Sequence, residues 1–179
     1  MDNSDTAVPV VELRPVTEAD LALLDEWQHD PIHRSEYGDF LVMYREADKQ
    51  REHWNTDGLL GEDSGELIVT ADGEPVGDVQ WRTVEYGPNN GSRQLDIGIT
   101  LASSARGKGI GSVAQRMLAD FLFNHTTVHR VEASTDITNL AEQNALSKAG
   151  FTREGVLRGA QFRCGAWHDL VIYSRLRTD

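Results

Sequence analysis

The chain has 179 residues, 39% of them hydrophobic and 26% charged, with 29 acidic against 17 basic side chains and a formal net charge of −12. A single domain of this length buries roughly two-thirds of its unfolded surface. No apolar run approaches the ~20 residues of a membrane span. The start MDNSDTAVPV lacks the basic region and apolar core of a secretory signal, so a cytoplasmic protein with no membrane partner is expected, and so acidic a chain argues against a nucleic-acid partner.

Cys164 is the one cysteine, which excludes an intrachain disulfide, and its setting predicts a small buried or half-buried strand residue. The charge is uneven: residues 1–63 hold 16 acids and 5 bases, residues 64–179 hold 13 and 12. That is either a solvated acidic surface, or a first third that meets a cation while the rest meets an anion.

In chain order, VVELRPV (10–16) reads as a strand, and Thr17 then caps a helix over EADLALLDEW that places Leu21, Leu24 and Trp27 on one face until Asp30-Pro31 stops it. A second helix is expected over about 46–55. The period then becomes two. GELIVTA and EPVGDVQWRTV form antiparallel strands joined at Asp72-Gly73, YGPNNGS (86–92) is a loop, and QLDIGITL (94–101) alternates Leu95, Ile97, Ile99 and Leu101. A glycine-rich segment follows, and then SVAQRMLADFLF, whose Val113, Met117, Leu118, Phe121 and Leu122 make an apolar helical stripe. HRVEAST is a strand, NLAEQNALSKAG a helix ended by Gly150, and two strands over 151–163 and 166–175 turn near Gly165. The order β α α β β β α β α β β predicts an α/β fold with a mixed sheet in one domain.

The glycine-rich segment, ARGKGIGSVA (105–114), sacrifices helix propensity at a helix start and admits three readings. The phosphate-loop pattern G-x-x-x-x-G-K-[ST] is absent. Gly109 to Ala114 fits a dinucleotide G-x-G-x-x-A, with Glu132 about 20 residues on where a ribose-binding acid belongs. Against it, ASSARGK separates Leu101 from Gly109, and too few βαβ units follow. In the third reading, bare backbone lets several N–H groups converge on one anion at a helix N-terminus. Four or five such bonds at roughly 1 kcal/mol, with about 2 kcal/mol from Arg106, account for much of a micromolar interaction of about 8 kcal/mol. Tight strand–helix packing explains one glycine, not three beside two cations.

Arg106-Gly107-Lys108-Gly109-Ile110-Gly111 resembles the R/Q-x-x-G-x-G/A acetyl-CoA motif of the GNAT acetyltransferases. VELRPVTEADLALLDEWQHDP, RVEASTDITNLAEQNALSKAGFTREGVLR and GAWHDLVIYSRL resemble successive parts of the RimJ/RimL-like branch, the ribosomal-protein alanine acetyltransferases, so the resemblance covers nearly the whole chain. It implies a mostly antiparallel sheet with a splayed parallel strand pair binding CoA and helices on both faces. It also implies acceptor-side elements over about 10–60, an acetyl-CoA core over 94–150 and a C-terminal hairpin over 151–176. The backbone of Ile99 and Leu101 would then meet the pantetheine arm, and Arg106, Gly107, Lys108, Gly109, Ile110, Gly111 and Ser112 the pyrophosphate. Asn139 would bond the pantetheine region, be a plain N-cap, or do both. Where the branch usually has serine, assigned as the acid that reprotonates the departing thiolate, this chain has Glu142; it donates at neutral pH only if burial raises its pKa. Asn144, on the cofactor side, is the alternative that orients a water.

Direct transfer of an acetyl group to an amine needs a neutral amine. Neutralising a polyamine-like nitrogen at pH 7 costs roughly 4.6 kcal/mol, an α-amine only about 1.4. Asp96 on the key strand is the first candidate for the base, or an ordinary polar-face residue; Asp136 and Glu142 are the alternatives. For the acceptor side the candidates are Tyr37, Tyr44, Trp81 and His168, although His168 also reads as a turn residue and aromatics at such spacings as core. No metal is expected: His29 and His33 straddle Asp30-Pro31, and His125 and His129 a helix-to-strand junction. The expected function is acetyl-CoA-dependent N-acetylation of a protein N-terminal amine or a small cationic amine. A CoA-binding sensor without turnover and a dinucleotide-binding oxidoreductase are the alternatives, and a homodimer is left open.

Overall fold

Residues 9–30, 32, 37–38 and 47–179 are described by a computed structural model. Side chains alternate along β2 (Ser64–Ala71), β3 (Glu74–Glu85) and β4 (Arg93–Leu101), which sends Leu67, Val69, Val79, Trp81, Leu95 and Ile97 to one face of a sheet, where all six are buried. Helix α3 (Ile110–His125) covers that face with Ile110, Ala114, Leu118 and Leu122, one residue per turn. The other face of β2 meets α1 (Asp20–His29) through Ile68, Leu21 and Leu24, with Val16 and Leu59 beside them and Trp27 and Trp54 at the edge. Trp54 lies on α2 (Ala47–Asp57), and its indole N–H donates to the Val16 carbonyl at 3.0 Å.

The remaining elements are β1 (Val11–Pro15), β5 (Arg130–Asp136), α4 (Leu140–Lys148), β6 (Thr152–Arg163) and β7 (Ala166–Leu176). They complete a seven-stranded sheet in the order β1-β2-β3-β4-β5-β7-β6. Every pair is antiparallel except β4 with β5. Among the described residues, the mixed α/β architecture and the element order expected from the sequence are those observed.

Two local expectations are corrected. Helix α1 begins at Asp20, not after Thr17, and the bond runs the other way: the Asp20 carboxylate accepts from the Thr17 amide and hydroxyl at 2.8 and 2.6 Å. Cys164 is not buried in a strand. It sits exposed in the β6–β7 turn with φ +50°, followed by Gly165 at +78°, the two positive dihedrals that a tight hairpin demands.

Candidate active site

Strands β4 and β5 pair only at Leu95–Val131 and Asp96–Glu132. Beyond those positions they separate, β4 running on to Leu101 and β5 to Asp136. The Leu101 carbonyl accepts from Arg106 Nε at 2.9 Å and therefore faces away from β3. Main-chain groups alternate sides along a strand, so the N–H and C=O of Ile97 and Ile99 face the widening gap too. A slot lined with main-chain donors and acceptors is thus left between two strands of one sheet.

The glycine segment closes one end of this slot. Gly107 and Gly109 have φ of +74° and +80°, and a Cβ on either would meet nothing within 4 Å. Their role is therefore conformational, not packing: they turn the chain so that the α3 N-terminus opens to solvent. No side chain caps that end and no acid lies in its first turn, which leaves the amides of Ile110, Gly111 and Ser112 to an external acceptor. Gly111 packs at the end of β4, where its Cβ would come within 3.7 Å of Leu101 Cδ1 and 3.9 Å of Ile99 Cδ1. Ser112 is nearly buried and donates to the Gly109 carbonyl at 2.9 Å; Arg106 also bonds the Ile32 carbonyl at 3.1 Å, and Lys108 is exposed. These residues fit a diphosphate: the donors are amides and cations, and the cradle holds no carboxylate.

Helix α4 borders the same end. Asn139 is its N-cap, accepting from the Glu142 amide at 3.2 Å while its own amide donates to the Thr135 hydroxyl at 3.0 Å. Glu142 turns towards α3, where it is bonded to Gln115, and Gln115 in turn donates to the Gly111 carbonyl at 3.2 Å. Burial pushes the Glu142 carboxyl up to about 7 against the pull of Gln115. At that value a substantial share of the carboxyls keeps its proton at neutral pH. Asn144 lies about 200° further round the helix and is exposed, so it does not join Glu142.

On the opposite face of the sheet a pocket of about 580 Å³ runs from α2 across β2, β3 and β4 to Ser134 of β5, on the far side of the slot. Its wall contains Asp57, Glu66 and Asp96 with Gln50, His53, Gln80 and Arg82. Glu66, 5% exposed, accepts from Gln50 Nε2 at 3.2 Å. Asp96 lies at the strand separation and accepts from Arg82 Nε at 2.9 Å and Nη2 at 2.8 Å. Burial raises its carboxyl above the ordinary carboxylate value, and Arg82 offsets part of the rise. A carboxylate so placed is partly desolvated and sits on the strand that borders the slot, a position from which it can accept a proton.

The sequence matches the family described as an acetyltransferase (GNAT) domain over residues 11–152. The chain belongs to the GNAT family of N-acetyltransferases. It is 32% identical over 157 residues to an aminoglycoside N(6')-acetyltransferase type 1 of Klebsiella pneumoniae, covering 82% of this chain and 76% of that one. It is 36% identical over 83 residues to a probable N-acetyltransferase, YjcK, of Bacillus subtilis, a match that spans 46% of each chain. Among solved structures, RimJ of Mycobacterium smegmatis, in complex with CoA-disulfide, superposes with a TM-score of 0.74 at 28% identity, covering 94% of this chain and 83% of that one.

Within this GNAT framework several expected residues fall elsewhere. Trp81 is 4% exposed, packs 6.0 Å from Phe121 and donates to the Gly61 carbonyl at 3.2 Å; it is core, with one edge on the pocket. Asp136 is no base. Although burial opposes it, bonds from the Thr138 hydroxyl and amide and from Arg163 hold its carboxyl down to about 2. His168 is not a turn residue: it lies on β7, its Nδ1 3.1 Å from Asp136 and its Nε2 3.2 Å from the Arg163 carbonyl. Tyr37 lies under the Arg163 guanidinium at 5.5 Å, so Tyr37, Asp136 and His168 converge on one residue that the sequence did not single out. Tyr44 and His33 lie outside the described residues. Glu132, the acid of the dinucleotide reading, is 4% exposed and bound by Arg130 at 3.1 Å and Tyr86 at 3.2 Å, and one parallel strand pair does not make a nucleotide half-domain. Among the described residues no group of three or more His, Cys, Asp and Glu side chains is gathered to hold a metal. No described helix is long and apolar enough to cross a membrane.

Gln115 and Arg82 were also missed. Gln115, one turn after Gly111, was readable as a residue facing the glycine loop. The cross-strand partnership of Arg82 with Asp96 needs the β3–β4 register, which an irregular loop of seven residues does not set.

Proposed function

We propose that the protein transfers the acetyl group of acetyl-CoA directly to a small cationic amine that enters through the acid-walled pocket. The observation carrying this reading is a slot between β4 and β5 reached from two sides: an anion cradle at the α3 N-terminus, and a pocket that brings Asp57, Glu66 and Asp96 to its wall. Carboxylates on that wall favour a cationic acceptor over a neutral one. The 32% identity to an aminoglycoside acetyltransferase, an enzyme of cationic amino sugars, supports the same substrate class.

In this reading the co-substrate supplies an activated acetyl thioester, and the residues do the rest. Amides of Ile110, Gly111 and Ser112, with Arg106 and Lys108, hold the diphosphate. An Ile97 or Ile99 amide in the slot polarises the thioester carbonyl. Asp96, directly or through a water, takes the proton that the ammonium loses. As the C–N bond forms and the C–S bond breaks, the nitrogen sheds its second proton to water, Glu142 gives its proton to the departing thiolate in place of the serine of the resembled branch, and solvent then reprotonates Glu142.

The test is thiol release from acetyl-CoA with kanamycin, spermidine and an alanine-terminated peptide as acceptors. Release with kanamycin or spermidine at a kcat/KM at least about tenfold above the peptide supports the reading, a ratio worth about 1.4 kcal/mol of transition-state binding. Preference for the peptide moves the enzyme to protein N-termini, and CoA binding with no amine-dependent release makes it a sensor.

A further inference from the structure

The residue on which three sequence-selected side chains converge lies beside the slot and has no part in the chemistry above. Arg163 ends β6, the edge strand of the sheet, yet is only 5% exposed. One edge of its guanidinium pairs with Asp136 at 2.6 Å, at the very end of β5. Nη1 reaches the Tyr37 carbonyl at 3.4 Å and Gln161 Oε1 at 2.6 Å, and the guanidinium Cζ lies over the Tyr37 ring, 5.5 Å from its centre. His168 completes the cluster from β7.

The location gives this arrangement its meaning. Asp136 and Ser134 share a face of β5, two residues or about 7 Å apart, and Ser134 lines the acceptor pocket. Both border the side of the slot that β4 has left. A guanidinium fixed to Asp136 therefore holds Tyr37 at the end of β5, two residues beyond the pocket-lining Ser134 and outside the pocket lining itself. Lysine would not reproduce this, because only a planar fork pairs with a carboxylate, donates to a carbonyl and stacks on a ring at once.

We propose that Arg163 is a positioning residue for the acceptor, clamping Tyr37 against the end of β5 so that it forms one wall of the acceptor cleft. The inference rests on the amine-transfer reading. Arg163 touches neither the glycine cradle nor Glu142, so the acceptor KM is the parameter that the clamp is expected to move.

Steady-state kinetics with kanamycin and spermidine, run on the wild type and on Arg163→Gln, Arg163→Lys and Tyr37→Ala, test this. Tyr37→Ala leaves the buried Arg163–Asp136 pair intact and so covers the case in which Arg163→Gln fails to fold. Expected are an acceptor KM raised about tenfold or more in Tyr37→Ala and Arg163→Gln, a smaller rise in Arg163→Lys, and a KM for acetyl-CoA within about twofold of wild type. Folded variants with a lowered melting temperature and an unchanged acceptor KM overturn the proposal, as does a loss of acetyl-CoA affinity equal to the loss for the amine. A wild type that turns over no amine defeats the amine-transfer reading itself, and the clamp with it.

Discussion

Glu142 shows at the scale of one residue how burial changes a role. Its carboxyl is raised from 4.5 to about 7, so between those values the folded chain holds a proton that the unfolded chain has lost. The stabilisation from the neutral form is complete below about pH 4.5 and is lost as the pH rises through about 7. Glu142→Gln is therefore expected to match the wild type in urea unfolding near pH 4.5 and to exceed it at pH 8 by roughly 3 kcal/mol. The same variant lowers kcat about 100-fold at neutral pH if Glu142 delivers the proton, whereas Glu142→Ser restores a donor and most of the rate. The residue itself was readable as a departure from a motif, but its titration was not, because Gln115 and the α3 surface that desolvate it are tertiary neighbours. Asp136 makes the opposite case: a carboxylate of similar sequence appearance is held near 2 by Thr138 and Arg163 and is fixed as an anchor.

Elements were legible where local chemistry decides them. Asp72-Gly73 supplies φ values of +52° and +85° and closes the β2–β3 hairpin as expected, and the apolar alternation of β4 puts Leu95 and Ile97 in the core. Cys164 was misjudged because a non-glycine residue at φ +50° carries no composition signal, and the turn was set by the strands on either side. The separation of β4 from β5 was legible only through the resemblance, since nothing in either strand forbids longer pairing. Asn139 links two elements here, capping α4 while bonding Thr135 of β5. Replacing it by alanine should cost about 1 kcal/mol in urea unfolding, the worth of one N-cap. A loss indistinguishable from zero would mean that the first turn of α4 is satisfied by water alone.

At the scale of the molecule, the proposed function assigns two substrates of opposite charge to the two faces of one sheet. One face carries α3 and, at its exposed end, the glycine segment; the other carries α1 over its own apolar cluster and, beside it, the acid-walled pocket; β4 and β5 separate between them. The uneven charge along the sequence does not map onto this division: the acidic first third supplies only Asp57 to the pocket wall, while Glu66 and Asp96 belong to the nearly neutral remainder, which also supplies the glycine segment. What sequence did not specify was which residues complete the acceptor side, since Arg82, Glu66 and Arg163 come from three different strands. The most direct measurement is a calorimetric titration of the folded chain with acetyl-CoA, alongside Gly109→Val. One site per chain with micromolar affinity, weakened about tenfold when a β-branched side chain is forced to φ +80°, is the result predicted. No heat from well-folded wild-type protein, or the same affinity in a folded variant, would contradict the account.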